Sequence, residues 1–355
     1  KTLNHPHPFI RFWTIRLLGD DHITTPSIQS QLVKLAAKES HPEVRSCLAA
    51  SCKRWTARDS FLILAQLINR EEDLQDKHIP LLLWWAIENK AISNRAEIIN
   101  LLDDKALWQT PMMQQHLISR IGQRYTAQRT TNNLVTAAKL LALAPSDADK
   151  DLLINGMEAG LKGNAVGNTP KTLQTELIKL WKNRPHTPKL ISFATRLGHP
   201  EAMQEAIARA KNPKTSATER RELTQLLSER RGAGALKLLL EQFENEKSGS
   251  RRIEVMSALQ RYENDSVAKA LLERYSTMNS REKETAQNIL SSRADWSVSF
   301  LNAVEKGSIN REDVRPANIL AMQNHKHKNI NQIIKKHWGQ LRQSSEAKQK
   351  RMESV

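Results

Sequence analysis

His7-Pro8-Phe9-Ile10-Arg11 opens the chain, and His41-Pro42-Glu43-Val44-Arg45 repeats its pattern 34 residues later. Proline suits the first turn of a helix, where its missing N–H is not needed. Each motif therefore reads as a helix start. An apolar helical pattern follows each one: Phe9, Ile10, Trp13, Ile15, Leu17 and Leu18 in the first, then Val44, Cys47, Leu48 and Ala50 in the second. The Ile or Val two residues after the proline is expected in the core between helix pairs. The Arg after it is expected near the turn, bonded to helix ends or to acids of the next repeat. A second helix is predicted behind each motif, over 28–38 and 61–69.

Helix, short turn, helix, short turn at this period lies in the HEAT range. The expected fold is all-α, an α-solenoid of antiparallel helix pairs resembling the HEAT/armadillo superhelix. Later repeats are less regular, but the helical period persists. Helices are predicted over 81–89, 96–102, 112–124, 133–143, 149–161, 169–181 and 190–197. Gly198-His199-Pro200-Glu201-Ala202 is a weak third echo of the motif, and Ser216 and Ser280 sit at predicted capping positions with acids in the first turn. Pro26, Pro111, Pro145, Pro170, Pro185, Pro213 and Pro316 fall between segments, as the punctuation of many short helices should. No stretch alternates with the period of a strand. The glycine-rich loop at 160–168 suggests a soft boundary, with repeats 1–160 and more degenerate repeats 161–355 in one continuous array.

Hydrophobic residues make up 39% and aromatics only 5% of the chain, and Leu, Ile and Ala favour helices over sheets. The most apolar run, Ile79 to Ile87, is too short to span a bilayer, so no membrane-spanning segment is expected. Lys1 stands where an initiator methionine would, and helical patterns run to both ends. We therefore expect a segment of a longer polypeptide. Cys47 and Cys52 sit five apart on one predicted helix and face different ways, which argues against a disulfide between them.

The formal net charge of +16 points to an acidic or polyanionic partner, or to a generically basic solvated surface. Lys and Arg are interspersed with Glu and Asp, unlike a basic arm that grips nucleic acid. Among residues able to carry chemistry, His5, His7, His325 and His327 could begin a metal set, but nothing in the sequence completes one. Asp20-Asp21, Glu71-Glu72 and Asp103-Asp104 are adjacent pairs, which face apart on a helix and make poor acid–base partners. Trp84-Trp85 and Trp108 could line a base-binding pocket, but rings of this size more often fill gaps between helix layers. No catalytic, cofactor-binding or metal-binding residues are expected.

The C-terminal third carries a more specific likeness. It comprises Ala270-Leu271-Leu272-Glu273-Arg274-Tyr275, Ile289-Leu290-Ser291-Ser292-Arg293-Ala294-Asp295-Trp296, Phe300 to Gly307, Asn324-His325-Lys326, Ile333 to Gly339 and Gln343 to Arg351. These stretches resemble the HEAT-repeat region of the putative membrane-bound dehydrogenases of planctomycetes and verrucomicrobia. In that family a propeller dehydrogenase precedes the repeats and a c-type cytochrome domain follows them. The resemblance implies a non-catalytic scaffold that positions redox modules or docks a protein partner, at the periplasm or cell envelope. Haem c would belong to a downstream domain, because no Cys-x-x-Cys-His occurs here. The competing reading is a basic helical-repeat protein that binds nucleic acid, similar to helical-repeat DNA glycosylases.

Overall fold

The computed structural model describes residues 2–22, 24–164 and 166–339. Every regular element among them is helical. The motif places the first helices. His7 holds extended backbone before α1 (Pro8–Asp20), with Pro8 in its first turn. After α2 (Pro26–Lys38), His41 and Pro42 repeat the arrangement at α3 (Pro42–Ser51), and α4 (Ala57–Ile68) follows. The last begins four residues earlier than its apolar pattern, because the Thr56 hydroxyl accepts the Asp59 N–H and so caps it. The chain continues through α5 (Ile79–Lys90), α6 (Arg95–Asp103), the single turn α7 (Lys105–Trp108), α8 (Ile118–Ala127), α9 (Thr131–Leu143), α10 (Asp147–Leu161), α11 (Lys171–Asn183), α12 (Pro188–Arg196) and α13 (Pro200–Lys211). Then come α14 (Ala217–Arg230), α15 (Ala233–Asn245), α16 (Gly249–Leu259), α17 (Asp265–Arg274), α18 (Ser280–Leu290), α19 (Ala294–Glu305), α20 (Pro316–Gln323) and α21 (Lys328–Trp338). Gln343 to Arg351, the last part of the family-like stretch, lies outside the described residues.

The chain forms two compact units that divide between Ala206 and Ile207, inside α13. The 160/161 boundary anticipated from glycine content falls inside the first unit. There Val166 N–H donates to Arg196 O at 3.0 Å, and Thr169 Oγ1 donates to Leu197 O at 2.7 Å.

Within the first unit each helix packs on the one two places along: α1 on α3 on α5, and α2 on α4 on α6. The short α7 and a π turn at Met113–Leu117, inside the helix predicted over 112–124, shift this parity, so that α6 meets α9 and α5 meets α8. The rule then resumes with α8, α10 and α12 in one row and α9 and α11 in the other. The second unit follows it independently: α14 on α16 on α18, and α15 on α17 on α19 on α21. Leu32, Leu48, Ile63, Leu64 and Leu67 are fully buried between the first helices.

The motif arginines staple successive helix pairs. Arg11 donates Nε and Nη2 to Glu39 at 2.7 and 2.6 Å, and Nη1 to the carbonyls of His5 and Pro6. Arg45 does the same 34 residues on, with Asp73 at 2.6 and 2.5 Å and the carbonyls of Glu39 and Ser40. The second unit holds a third copy that has no His-Pro to announce it. Arg252 donates Nε to Glu282 at 2.5 Å and Nη1 to the carbonyls of Glu246 and Lys247. The acid lies 28, 28 and 30 residues downstream of its arginine. Ser216 caps α14 as expected. At α18 the cap is Asn279 rather than Ser280: its side chain accepts the Glu282 N–H while Glu282 accepts the Asn279 N–H. The amide completes this reciprocal box and leaves Ser280 in the first turn.

Two of these acids give the fold an acid limit. Burial pushes the Glu39 carboxyl up, but the Arg11 fork and the His41 N–H outweigh it and hold it below the ordinary range. Glu282 is held low in the same way, with Arg252 and the Asn279 N–H opposing burial. A carboxyl depressed in the folded state stabilises it fully above the ordinary value of 4.5 and less as pH falls through the folded value. Urea midpoints should therefore be nearly flat from about pH 7 to about pH 5 and fall below about pH 4.5. The variant carrying Glu39→Gln and Glu282→Gln should show a shallower acid limb. An unchanged limb would contradict this assignment.

Candidate interaction site

Helix α1 is apolar nearly all round, a pattern that normally marks a buried helix. One side behaves accordingly. Ile15 is fully buried, Cys47 Sγ lies 3.5 Å from Phe12 O, and Trp55 Nε1 donates to Leu18 O at 3.2 Å. The other side is open. Phe9, Ile10, Trp13 and Leu17 are between 40% and 60% exposed. Phe9, Trp13 and Leu17 stand four residues apart and form one stripe. Ile10 thus corrects the expectation that both motif β-branched residues enter the core. Val44, its counterpart, is fully buried because α3 has neighbours on both flanks, α1 and α5.

The stripe has an aromatic end and a charged end. The Phe9 ring lies 5.8 Å from His7 and 6.0 Å from His41, and Trp13 meets Phe12 edge-on at 5.8 Å. At the far end Asp20 accepts from Arg16 at 3.2 Å and from Arg54 at 2.6 Å. The four side chains together expose on the order of a few hundred Å², enough to mark an interaction surface. If the face is open in solution, Trp13→Ser will change stability by less than about 0.5 kcal/mol, whereas Leu48→Ala, at a fully buried position on α3, will cost about 2–5 kcal/mol. Comparable losses of urea midpoint in the two variants would show that α1 is covered.

A second recess has little signature in the sequence. Trp181 stacks on His186 with ring centroids 3.8 Å apart, and His199 lies 5.0 Å away. His186 Nδ1 is 2.5 Å from Glu205 Oε2, and its Nε2 is 3.0 Å from Trp181 O. A cavity of about 520 Å³ opens beside them, floored by Leu177, Ile178 and Leu197. Burial holds the His199 imidazole below its usual value, with His186 adding to the effect and Glu201 opposing it. The only sequence signal was the His199-Pro200 echo, which reads as a helix start. His199 does serve that role, its Nδ1 accepting the Ala202 N–H at 3.4 Å.

The other candidates from the sequence go to structural duties. His5 Nδ1 accepts the His7 N–H at 3.0 Å, the His325 ring bonds Ser291 O at 2.9 Å, and His327 precedes α21. No group of three or more His, Cys, Asp or Glu among the described residues is placed to hold a metal ion. Asp21 follows α1, Glu72 pairs with Arg70 at 2.5 Å, Asp103 ends α6, and Asp104 caps α7. Trp108 is fully buried and donates Nε1 to Leu102 O at 2.7 Å, as packing predicts, while Trp85 remains exposed. Cys47 and Cys52 are free, buried thiols; burial pushes Cys47 up to about 11. No described helix is long and apolar enough to cross a membrane. No family model, no curated protein and no solved structure matches this chain.

Proposed function

We propose that this chain is a non-catalytic helical-repeat scaffold of the HEAT type, which docks a protein partner or the adjacent domains of a longer protein. The open apolar face of α1 carries the reading, because a water-facing stripe of Phe9, Trp13 and Leu17 suits a protein surface. The packing of each helix on the one two places along, and the recurring arginine staples, support a repeat array. The residues quoted from 271 onward suggest a parent protein in which a dehydrogenase propeller and a c-type cytochrome are the docked modules.

Two measurements test this. A compact globule of this length has a radius of gyration of about 20 Å. X-ray scattering from the monomer should give a clearly larger value; about 20 Å would sink the solenoid. Dehydrogenase turnover or a haem band from the purified chain would sink the non-catalytic assignment. The net charge of +16 favours a second reading, a nucleic-acid-binding array. That reading requires duplex DNA binding that falls steeply between about 50 mM and about 200 mM salt. The scaffold reading expects no such binding at the lower salt.

A further inference from the structure

The second unit holds a recess of about 760 Å³ between α14, α15 and α16, lined by four basic side chains, Lys211, Arg220, Lys247 and Arg251, and by two acids, Glu241 and Glu246. The two acids offset only part of this charge. Glu241 is taken by Lys211 at 2.8 Å. Glu246 accepts the Ser248 N–H at 2.9 Å and lies 3.6 Å from Arg251. Arg251 Nη1 is buried without a hydrogen bond, and its nearest acid there, Glu254, is 3.7 Å away. Arg220 is the anomaly. Its side chain is half-buried, its Nε is shut off from water, and it has no hydrogen-bond or ion-pair partner among the described residues. A buried guanidinium N–H without an acceptor is suited to an anionic partner.

The start of α16 points the same way. Ser248 makes no side-chain cap, and Arg251 and Arg252 stand in the first turn of α16 where acids are usual, leaving Glu246 and Glu282 as the carboxylates beside it. Leu238 and Val255 give the recess an apolar floor, and no aromatic ring lines it, so nucleobases have nothing to stack on. We infer that this recess binds an acidic segment of a protein, its carboxylates held by Arg220, Lys247 and Arg251 and its methylenes lying on the apolar floor. The inference rests on the protein-docking reading and adds to it a place and a partner chemistry distinct from the apolar face of α1.

The test uses the full chain and fluorescein-labelled deca-glutamate, followed by polarisation at about 50 mM salt, with a labelled 20-base-pair duplex as the comparison probe. Wild type should bind deca-glutamate. Arg220→Gln should weaken binding about tenfold, and Lys247→Gln should weaken it less. Lys269→Gln, on an exposed site outside the recess, should leave binding unchanged. The thermal midpoint of Arg220→Gln should not fall below wild type, since no partner is lost; this separates binding from folding. Failure of wild type to bind deca-glutamate, or equal binding by Arg220→Gln, overturns the inference. So does duplex binding that depends on Arg220 without deca-glutamate binding. An extended scattering profile alongside any of these would leave the scaffold reading standing, whereas a compact one would remove that reading itself.

Discussion

Gly156→Ala will destabilise the first unit by about 3 kcal/mol or more. Helices α8 and α10 pack more closely than any other pair described. Gly156-Met157-Glu158-Ala159-Gly160 on α10 faces Ser119, Gly122 and Thr126 on α8. A Cβ at Gly156 would fall deep inside the carbonyl oxygen of Ser119, and one at Gly122 would lie 2.6 Å from the carbonyl oxygen of Leu153. Both obstacles are backbone, so no rotamer change relieves them and the helices must part. Parting them also breaks the bond from Thr126 Oγ1 to Met157 O, 2.9 Å across the interface. Gly167→Ala is the control. Nothing lies within 4 Å of its Cβ, so its effect should stay within about 0.5 kcal/mol, or stabilise slightly by restricting the unfolded chain. Urea denaturation of both variants decides the matter. A wild-type midpoint for Gly156→Ala would show that the two helices are further apart than described.

Asp73→Ala will cost about 3–5 kcal/mol, because it strands a buried charge. The Arg45 and Asp73 side chains are only 5% and 2% exposed. Without the carboxylate, Arg45 keeps its bonds to the Glu39 and Ser40 carbonyls but has no acid bonded to it in a site closed to water, with Glu72 and Glu39 acting only at longer range. The pair Arg45→Met and Asp73→Leu together should recover much of the loss, since apolar residues of similar volume often replace a buried ion pair without penalty. Glu284→Ala sets the scale. Its partner Arg315 is bound at 2.5 Å, but the two side chains are 46% and 51% exposed, and such pairs are worth between about 0 and 1 kcal/mol. If Asp73→Ala behaved like Glu284→Ala, the staple could not be a principal tie between helix pairs. If the double variant were no better than the single, desolvation of the guanidinium would not be the cause of the loss.

The staple also shows how far the sequence could be read. Arg11 and Arg45 were expected to meet helix ends or acids of the next repeat, and they do both at once. Arg252 was invisible, because Ser248-Gly249 replaces His-Pro in front of it. Its role depends on Glu282, 30 residues away, and no local pattern ties the two. The Gly156 contact was equally hidden. A glycine spacing of four is legible, but which helix lies against it is not. The basic recess is hidden for the same reason: Lys211, Arg220, Lys247 and Arg251 are scattered among acids in the sequence, and only the packing of α14, α15 and α16 beside the end of α13 brings them to one cavity.

Pro8 and Pro42, the Thr56 and Ser216 caps and the period of Leu and Ile were enough to determine an all-helical chain and most of its helix starts, because caps and helical periodicity act within a few residues. Tertiary structure alone decided which apolar residues stay in water, which arginines find acids and which are left without one. Those outcomes depend on neighbours about 30 residues away, and on whether a helix is flanked by helices on both sides, as α3 is by α1 and α5, or, among the described residues, on one, as α1 is by α3.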